Sequence, residues 1–159
     1  MQQVVLDASV ILKWYLDFPE EKNREKSLLI LEQHLERDIE INIPEFAYYE
    51  TIHVLKFSKY KLGLFTIRKA VNSLYALKLN SFPFDKNLFL KSLDISFESD
   101  LSLYDSYYVA LAFNLNCPLI TSDGKILNRC SSLSKVPTSF ETILLDRYEE
   151  GKNDDKIPF

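Results

Sequence analysis

Short apolar runs alternate with longer stretches of helical period along this chain of 159 residues. Gln2 to Leu6 is a β-branched run and predicts a first strand. Asp7-Ala8-Ser9 opens a helix to about Leu16, with Asp or Ser suited to cap it. Pro19-Glu20-Glu21 predicts a second helix, with acids in its first turn where the macrodipole favours them. It runs to about Arg37, with Leu28, Leu31 and Leu35 on one face. Ile39 to Ile43 is a second strand, stopped by Pro44, which begins a third helix to about Tyr60. Gly63 breaks that helix; Thr66 caps the next, which ends near Leu79. Ser81 to Phe84 predicts a third strand, and Asp85 caps a helix from Lys86 to about Phe97. A further helix runs from Asp105 to Asn114, then a fourth strand from Pro118 to Thr121. Ser122 or Asp123 starts a short helix to about Arg129. Val136 to Ser139 is a fifth strand, and Phe140 to about Tyr148 a closing helix.

Strands alternating with helices predict a mostly parallel sheet of about five short strands, flanked by helices on both faces. This is a three-layer α/β/α fold, expected to fill one domain over residues 1–148. The polar tail 149–159 is expected to be mobile. Ligands in such sheets sit beyond the carboxyl ends of the strands. Asp7 and Asp123 directly follow strands, so both belong on that edge. None of the three glycines lies in a phosphate-cradling pattern, which removes the P-loop and dinucleotide classes.

The apolar fraction of 47% and charged fraction of 26% are those of an ordinary globular protein. No apolar run approaches the ~20 residues of a membrane span, and no basic segment leads a longer apolar stretch. A cytoplasmic protein with no membrane partner is the expectation. Cys117 and Cys130 fit no zinc knuckle; a buried thiol is the expected state of Cys117. With two histidines, His34 and His53, a His-rich zinc site is excluded, so any metal should have oxygen ligands. Net charge is −4, yet Lys56, Lys59, Lys61, Arg68, Lys69 and Lys78 fall between Thr51 and Phe84 with no Asp or Glu among them. Phe57, Tyr60, Phe65 and Tyr75 are interleaved. Such a surface attracts phosphate even on an acidic molecule, although ordinary helices with solvated lysines explain it equally.

Asp7, Glu50, Asp105 and Asp123 carry the chemistry. Asp7, Asp105 and Asp123 each have helix capping as an alternative role. Glu50 shares a helical face with Phe46, His53, Val54 and Phe57, a stripe expected to look inward. Asp105 shares one with Tyr108, Val109 and Ala112. Carboxylates gathered in one place repel, and a hard dication such as Mg²⁺ or Mn²⁺ is the usual remedy. Ser9, Thr121 and Ser122 adjoin the acids and are placed to orient a carboxylate or hold bound water, with local capping as the alternative. His53 is expected to be a hydrogen-bonding neighbour of Glu50. Tyr104, Tyr107, Tyr108 and Phe113 read as core and rim rather than as a base-stacking platform.

Four segments together resemble the acidic motifs of PIN-domain ribonucleases, nearest to the VapC-like toxins of prokaryotic toxin–antitoxin pairs. They are Asp7-Ala8-Ser9-Val10; Pro44 to Leu55 around Glu50; Leu103 to Ala112 around Asp105; and Leu119 to Asp123. The likeness spans about Val4 to Leu145. It implies a Mg²⁺- or Mn²⁺-dependent endoribonuclease with Asp7, Glu50, Asp105 and Asp123 as its metal-binding, catalytic acids. Ser9 or Thr121 would be a polar helper. It also implies a homodimer and a small antitoxin protein that inhibits it. His53 departs from the pattern, which often has Asn there.

The chemistry expected is hydrolysis of an RNA phosphodiester, with Lys56, Lys59, Lys61, Arg68 and Lys69 holding the RNA backbone. Two alternatives keep the fold. One is a catalytically inactive protein- or RNA-binding module whose pocket takes a peptide Arg or Lys. The other is a PIN nuclease of RNA processing. An aspartyl-nucleophile phosphatase wants a second Asp two positions after the first; Ser9 stands there instead.

Overall fold

The computed structural model describes residues 1–138 and 140–149. Strand β1, Gln2–Leu6, leads into α1, Ala8–Ile11, which tightens into a 3-10 turn over Leu12–Trp14. Helix α2 spans Arg24–Leu35 and strand β2 Ile39–Pro44. Helices α3, Phe46–Phe57, and α4, Leu64–Ala76, precede strand β3, Asn80–Phe82. Helices α5, Lys86–Ser99, and α6, Leu103–Leu115, follow. Strand β4, Leu119–Thr121, helix α7, Gly124–Cys130, and strand β5, Thr142–Leu144, complete the order, with a last 3-10 turn over Leu145–Arg147.

All five strands are parallel, in the order β3-β2-β1-β4-β5. The chain winds outward from β1 to β3, then returns past β1 to β4 and β5. Right-handed crossovers therefore place α1–α4 on one face of the sheet and α5–α7 on the other. The packing agrees: α3 lies on α1 and α4, α5 on α6, and α6 crosses β1, β2 and β4. The three-layer α/β/α expectation is met. Val5, Leu6, Ile41, Ile43, Leu119 and Ile120 are fully buried, as central strands covered on both faces require. Helix α6 is buried from Ser106 to Phe113, so it forms the middle of its layer. The winding direction reverses between β1 and β4. Open α/β sheets bind ligands at that point.

Several boundaries differ from those expected. Asn23 adopts the left-handed conformation, φ 59°, which cannot continue a helix, so α2 starts at Arg24 rather than Pro19. Gly63, not Thr66, stands at the start of α4 and gives no side-chain cap. Ser102 caps α6, which therefore starts at Leu103. The fifth strand is Thr142–Leu144 rather than Val136 to Ser139; Ser139 lies outside the described residues. The predicted closing helix is replaced by that strand and its 3-10 turn. Thr142, Ile143 and Leu144 pair with Leu119, Ile120 and Thr121, so sheet completion overrode the local helical reading. Of the predicted tail, all beyond Glu149 lies outside the described residues. Among the described residues no helix is long and apolar enough to cross a membrane.

Candidate active site

Strand β1 ends at Leu6, and Asp7 takes an extended backbone that caps α1. Its amide donates to Ile120 O on β4 at 3.0 Å, which seats it on the switch-point edge. The side chain is buried, 5% exposed. Ser9 Oγ donates to Asp7 Oδ2 at 2.7 Å and Thr121 Oγ1 donates to the same oxygen at 2.6 Å. Each hydroxyl also accepts a backbone amide: Ser122 N–H on Ser9 Oγ at 3.0 Å, Asp123 N–H on Thr121 Oγ1 at 3.0 Å. A hydroxyl owns one proton. With amides on their lone pairs, both must point that proton at Asp7. Oδ2 is thereby held as a pure acceptor. Burial pushes the Asp7 carboxyl above its ordinary range; the Thr121 and Ser9 hydrogen bonds pull it back, and the Asp105 charge pushes it up again.

Glu50 lies one turn into α3 at the edge of that helix's buried stripe. The stripe is Ala47, Thr51 and Leu55, not the predicted Phe46–His53–Val54–Phe57 face. Val54 and Phe57 are exposed because α1 and α4 pack on the Ala47–Thr51–Leu55 stripe and leave that flank outward. Glu50 is half-buried, and Tyr108 of α6 donates its phenol proton to Oε2 at 2.7 Å. Burial raises the Glu50 pKa, the Tyr108 hydrogen bond lowers it, and the Asp7 and Asp105 charges raise it. Tyr108 is itself fully buried; burial first, then the Glu50 and Asp7 charges, push its phenol far above the usual range.

Asp105 sits in the first turn of α6, where Ser102 Oγ donates to its Oδ2 at 2.7 Å and accepts its amide at 3.1 Å. Burial raises its pKa, Ser102 lowers it, the Asp123 charge raises it and Lys125 partly offsets that. Asp123 caps α7, with Oδ1 accepting from the Lys125 amide at 2.8 Å. Capping and site membership are therefore compatible for Asp105 and Asp123, which commit one oxygen each to local structure; Asp7 engages both, its Oδ1 accepting the Ser9 amide at 3.4 Å. Glu50 Oε1, Asp105 Oδ1 and Asp123 Oδ2 have no hydrogen-bond partner among the described residues.

Four acids from four segments thus gather at one sheet edge, coupled by their charges. Among the described residues, however, no three His, Cys, Asp or Glu side chains are placed to hold one metal ion. The expected convergence of all four on a single ion is not reached by the side chains as they stand. The donor set still fits a hard dication. It is all oxygen, each acid keeps an unengaged or weakly engaged oxygen, and Mg²⁺ commonly takes only one or two carboxylates together with water and substrate phosphate.

The remaining predicted residues separate cleanly. Ser9 and Thr121 support Asp7 directly; Ser122 contributes its amide while its side chain faces outward. His53 is exposed and leans on Tyr49 and Phe57, with centroids at 6.3 and 4.8 Å, and makes no hydrogen bond to Glu50. Tyr108 holds that place. Its i+3 spacing put it on the face of Asp105, but no spacing pointed it at Glu50. Lys56, Lys59, Lys61, Arg68 and Lys69 are all exposed, at the end of α3, in the following loop and on α4. Lys56, Lys59 and Lys69 lie over the rings of Phe57, Tyr60 and Phe65 at 4.5, 5.0 and 4.6 Å. Lys56 is six residues beyond Glu50, about 9 Å along the helix.

A family model described as PIN domain matches residues 4–131, and the chain belongs to that family. No curated protein matches it significantly by sequence. The fold is shared with solved structures at low identity. VapC20 of Mycobacterium tuberculosis, described as a sarcin-ricin loop cleaving toxin, is 11% identical, with 84% of this chain and 99% of that one covered at a TM-score of 0.62. VapBC2 from Rickettsia felis, solved on a promoter DNA fragment, is 14% identical over 89% and 98%, with a TM-score of 0.60. FitAcB from Neisseria gonorrhoeae is 14% identical over 91% and 99%, with a TM-score of 0.60.

Proposed function

We propose that the chain is a divalent-cation-dependent endoribonuclease that hydrolyses RNA phosphodiester bonds in the cytoplasm, as the toxin of a type II toxin–antitoxin pair. The observation that carries the reading is Asp7: a buried carboxylate at the switch point, held by two hydroxyls and beside three further acids, with no basic residue bonded to it among the described residues. A fold does not keep such a charge without use. The family and the toxin structures that share its fold support the same reading.

Asp7 and Asp123, with Glu50 and Asp105 directly or through water, would hold one or two Mg²⁺ or Mn²⁺ ions. A bound ion supplies a lowered pKa for the attacking water and charge neutralisation at the phosphate. Ser9 and Thr121 keep Asp7 Oδ2 occupied and fix the carboxylate plane, leaving Oδ1, whose one partner is the Ser9 amide at 3.4 Å, as the oxygen for a cation. Tyr108 does the same for Glu50. The Lys56–Lys69 surface holds the RNA backbone by charge without reading bases. A small antitoxin protein is a proposed partner, since several fold neighbours are toxin–antitoxin complexes; a homodimer is proposed on the family likeness alone.

One observation favours a second reading. With no three side chains placed for an ion among the described residues, the cleft also suits a peptide Arg or Lys, which would make the chain a binding module. One experiment separates them: defined RNAs incubated with Mg²⁺ or Mn²⁺, beside an EDTA control and Asp7→Asn. The nuclease reading requires cleavage by the wild type that both controls abolish. Intact RNA with the wild-type protein, or equal cleavage by Asp7→Asn, ends it.

A further inference from the structure

Two large rings stand in water near the acidic cluster. Phe84 is 66% exposed and Tyr104 63%. Both rest on Phe46: Phe84 is stacked on it at 5.5 Å between centroids, and Tyr104 meets it edge-on at 5.6 Å. Phe46 in turn meets Tyr108 edge-on at 5.4 Å, and Tyr108 holds Glu50. Phe46 lies one helical turn before Glu50 on α3, and Tyr104 directly precedes Asp105 on α6. Phe46 thus links both exposed rings to the Tyr108–Glu50 pair, and Tyr104 adjoins Asp105 in the chain.

The rings are held in place. Phe84 packs edge-on against buried Tyr107 at 5.4 Å, and the amide of the next residue, Asp85, donates to the Tyr107 hydroxyl at 3.1 Å. A fixed pair of exposed rings next to the acids offers a ligand apolar area to bury. Charge narrows the choice. Carboxylates beside the rim repel phosphates, so a nucleic acid entering here needs a handhold that does not depend on charge. Aromatic faces provide one, because every base has a face to stack.

We propose that Phe84 and Tyr104 form a stacking shelf for an unpaired RNA base next to the scissile phosphate. This rests on the nuclease reading of the acidic site and adds to it two residues that would hold the base beside the cut. A base inside a duplex is paired and stacked on both sides and cannot reach the shelf.

The test uses a hairpin RNA whose loop the wild-type protein cuts in Mn²⁺, and copies of it with an abasic site on either side of the cut. Phe84→Ala and Tyr104→Ala should raise KM about tenfold each, with Phe84→Tyr restoring it. Phe97→Ala, at another exposed ring on α5, should match the wild type. One abasic substitution should cost the wild type a similar factor and cost Phe84→Ala nothing more. A fully paired version of the cut site should be a poor substrate. Unchanged KM in both variants overturns the shelf, as does an abasic loss that multiplies with the variant loss. A flat abasic series with impaired variants also overturns it and marks the rings as a protein-docking face. If the wild type cuts no RNA, the nuclease reading falls and takes the shelf with it; if it cuts and the variants behave as wild type, the shelf falls alone.

Discussion

Tyr108 on α6 donates its phenol proton to Glu50 Oε2 on α3 across 2.7 Å, joining the two helical layers at the edge where the acids meet. The phenol reaches past the end of the sheet and fixes which Glu50 oxygen remains for the cleft. Replacing Tyr108 by Phe keeps the ring packing on Phe46 and deletes only this bond. Hydrogen bonds to charged groups contribute about 1.5–3 kcal/mol, so a melting temperature lower by about 3–10 °C is expected. Cleavage should fall about 10- to 100-fold, as for other residues that orient a ligand-bearing carboxylate. Thermal melts and single-turnover cleavage check both. A variant equal to the wild type in both would remove Tyr108 from the site.

Thr121 bridges Asp7 and the β4–α7 turn with one hydroxyl. Thr121→Val keeps the shape and leaves the Asp123 amide and Asp7 Oδ2 each short of a partner. A loss of about 1–3 kcal/mol in chemical denaturation is expected, larger than for Ser122→Ala, whose side chain faces out. Equal losses would contradict the bridge.

The raised Asp7 carboxyl pKa has a pH consequence. A folded-state pKa above the unfolded value contributes stability that is complete below about 3.8 and is lost as pH rises through the folded value. In metal-free buffer, Asp7→Asn should therefore gain on the wild type as pH climbs out of the carboxylate range, and Mn²⁺ should reverse the order at neutral pH. Paired denaturation curves from acid to neutral pH read Asp7 together with the part of the Glu50 shift that its charge causes. A difference that does not move with pH would refute the assignment of that shift.

The basic surface predicts a salt effect. Changing Lys59, Lys61, Arg68 and Lys69 to Ala should weaken RNA binding at low salt. It should also flatten the slope of log affinity against log salt by about 0.7 for each phosphate no longer neutralised. Filter binding across a salt series, done with Asp7→Asn to prevent cleavage, reads this. An unchanged slope would confine the RNA to another face.

Strands β1 to β4, most of the helices and the strand-end places of Asp7 and Asp123 were legible because their signals are local, whereas the stripe that singled out Glu50 is not the one α3 buries. The β-branched run before Asp7 and the apolar run before Asp123 mark strand ends, and strand ends carry ligands in such folds. The fifth strand was not legible, because Thr142 to Leu144 becomes a strand only when β4 lies beside it. The exposed flank of α3 escaped the pattern for a related reason. The periodic stripe through Val54 and Phe57 is real, but α1 and α4 pack on the Ala47–Thr51–Leu55 stripe instead and leave Val54 and Phe57 in water. Tyr108 as partner of Glu50, and Phe84 beside Tyr104, depend on distant segments meeting in space, which no spacing rule reports.

Calorimetric titration of Mn²⁺ into the metal-free protein and into Asp7→Asn puts the central claim to its most direct trial, since it needs neither an RNA nor a partner. Saturable binding to the wild type, lost or weakened at least tenfold in the variant, is the predicted result. No binding to the wild type, or the same affinity in both, would contradict a cation site built on Asp7.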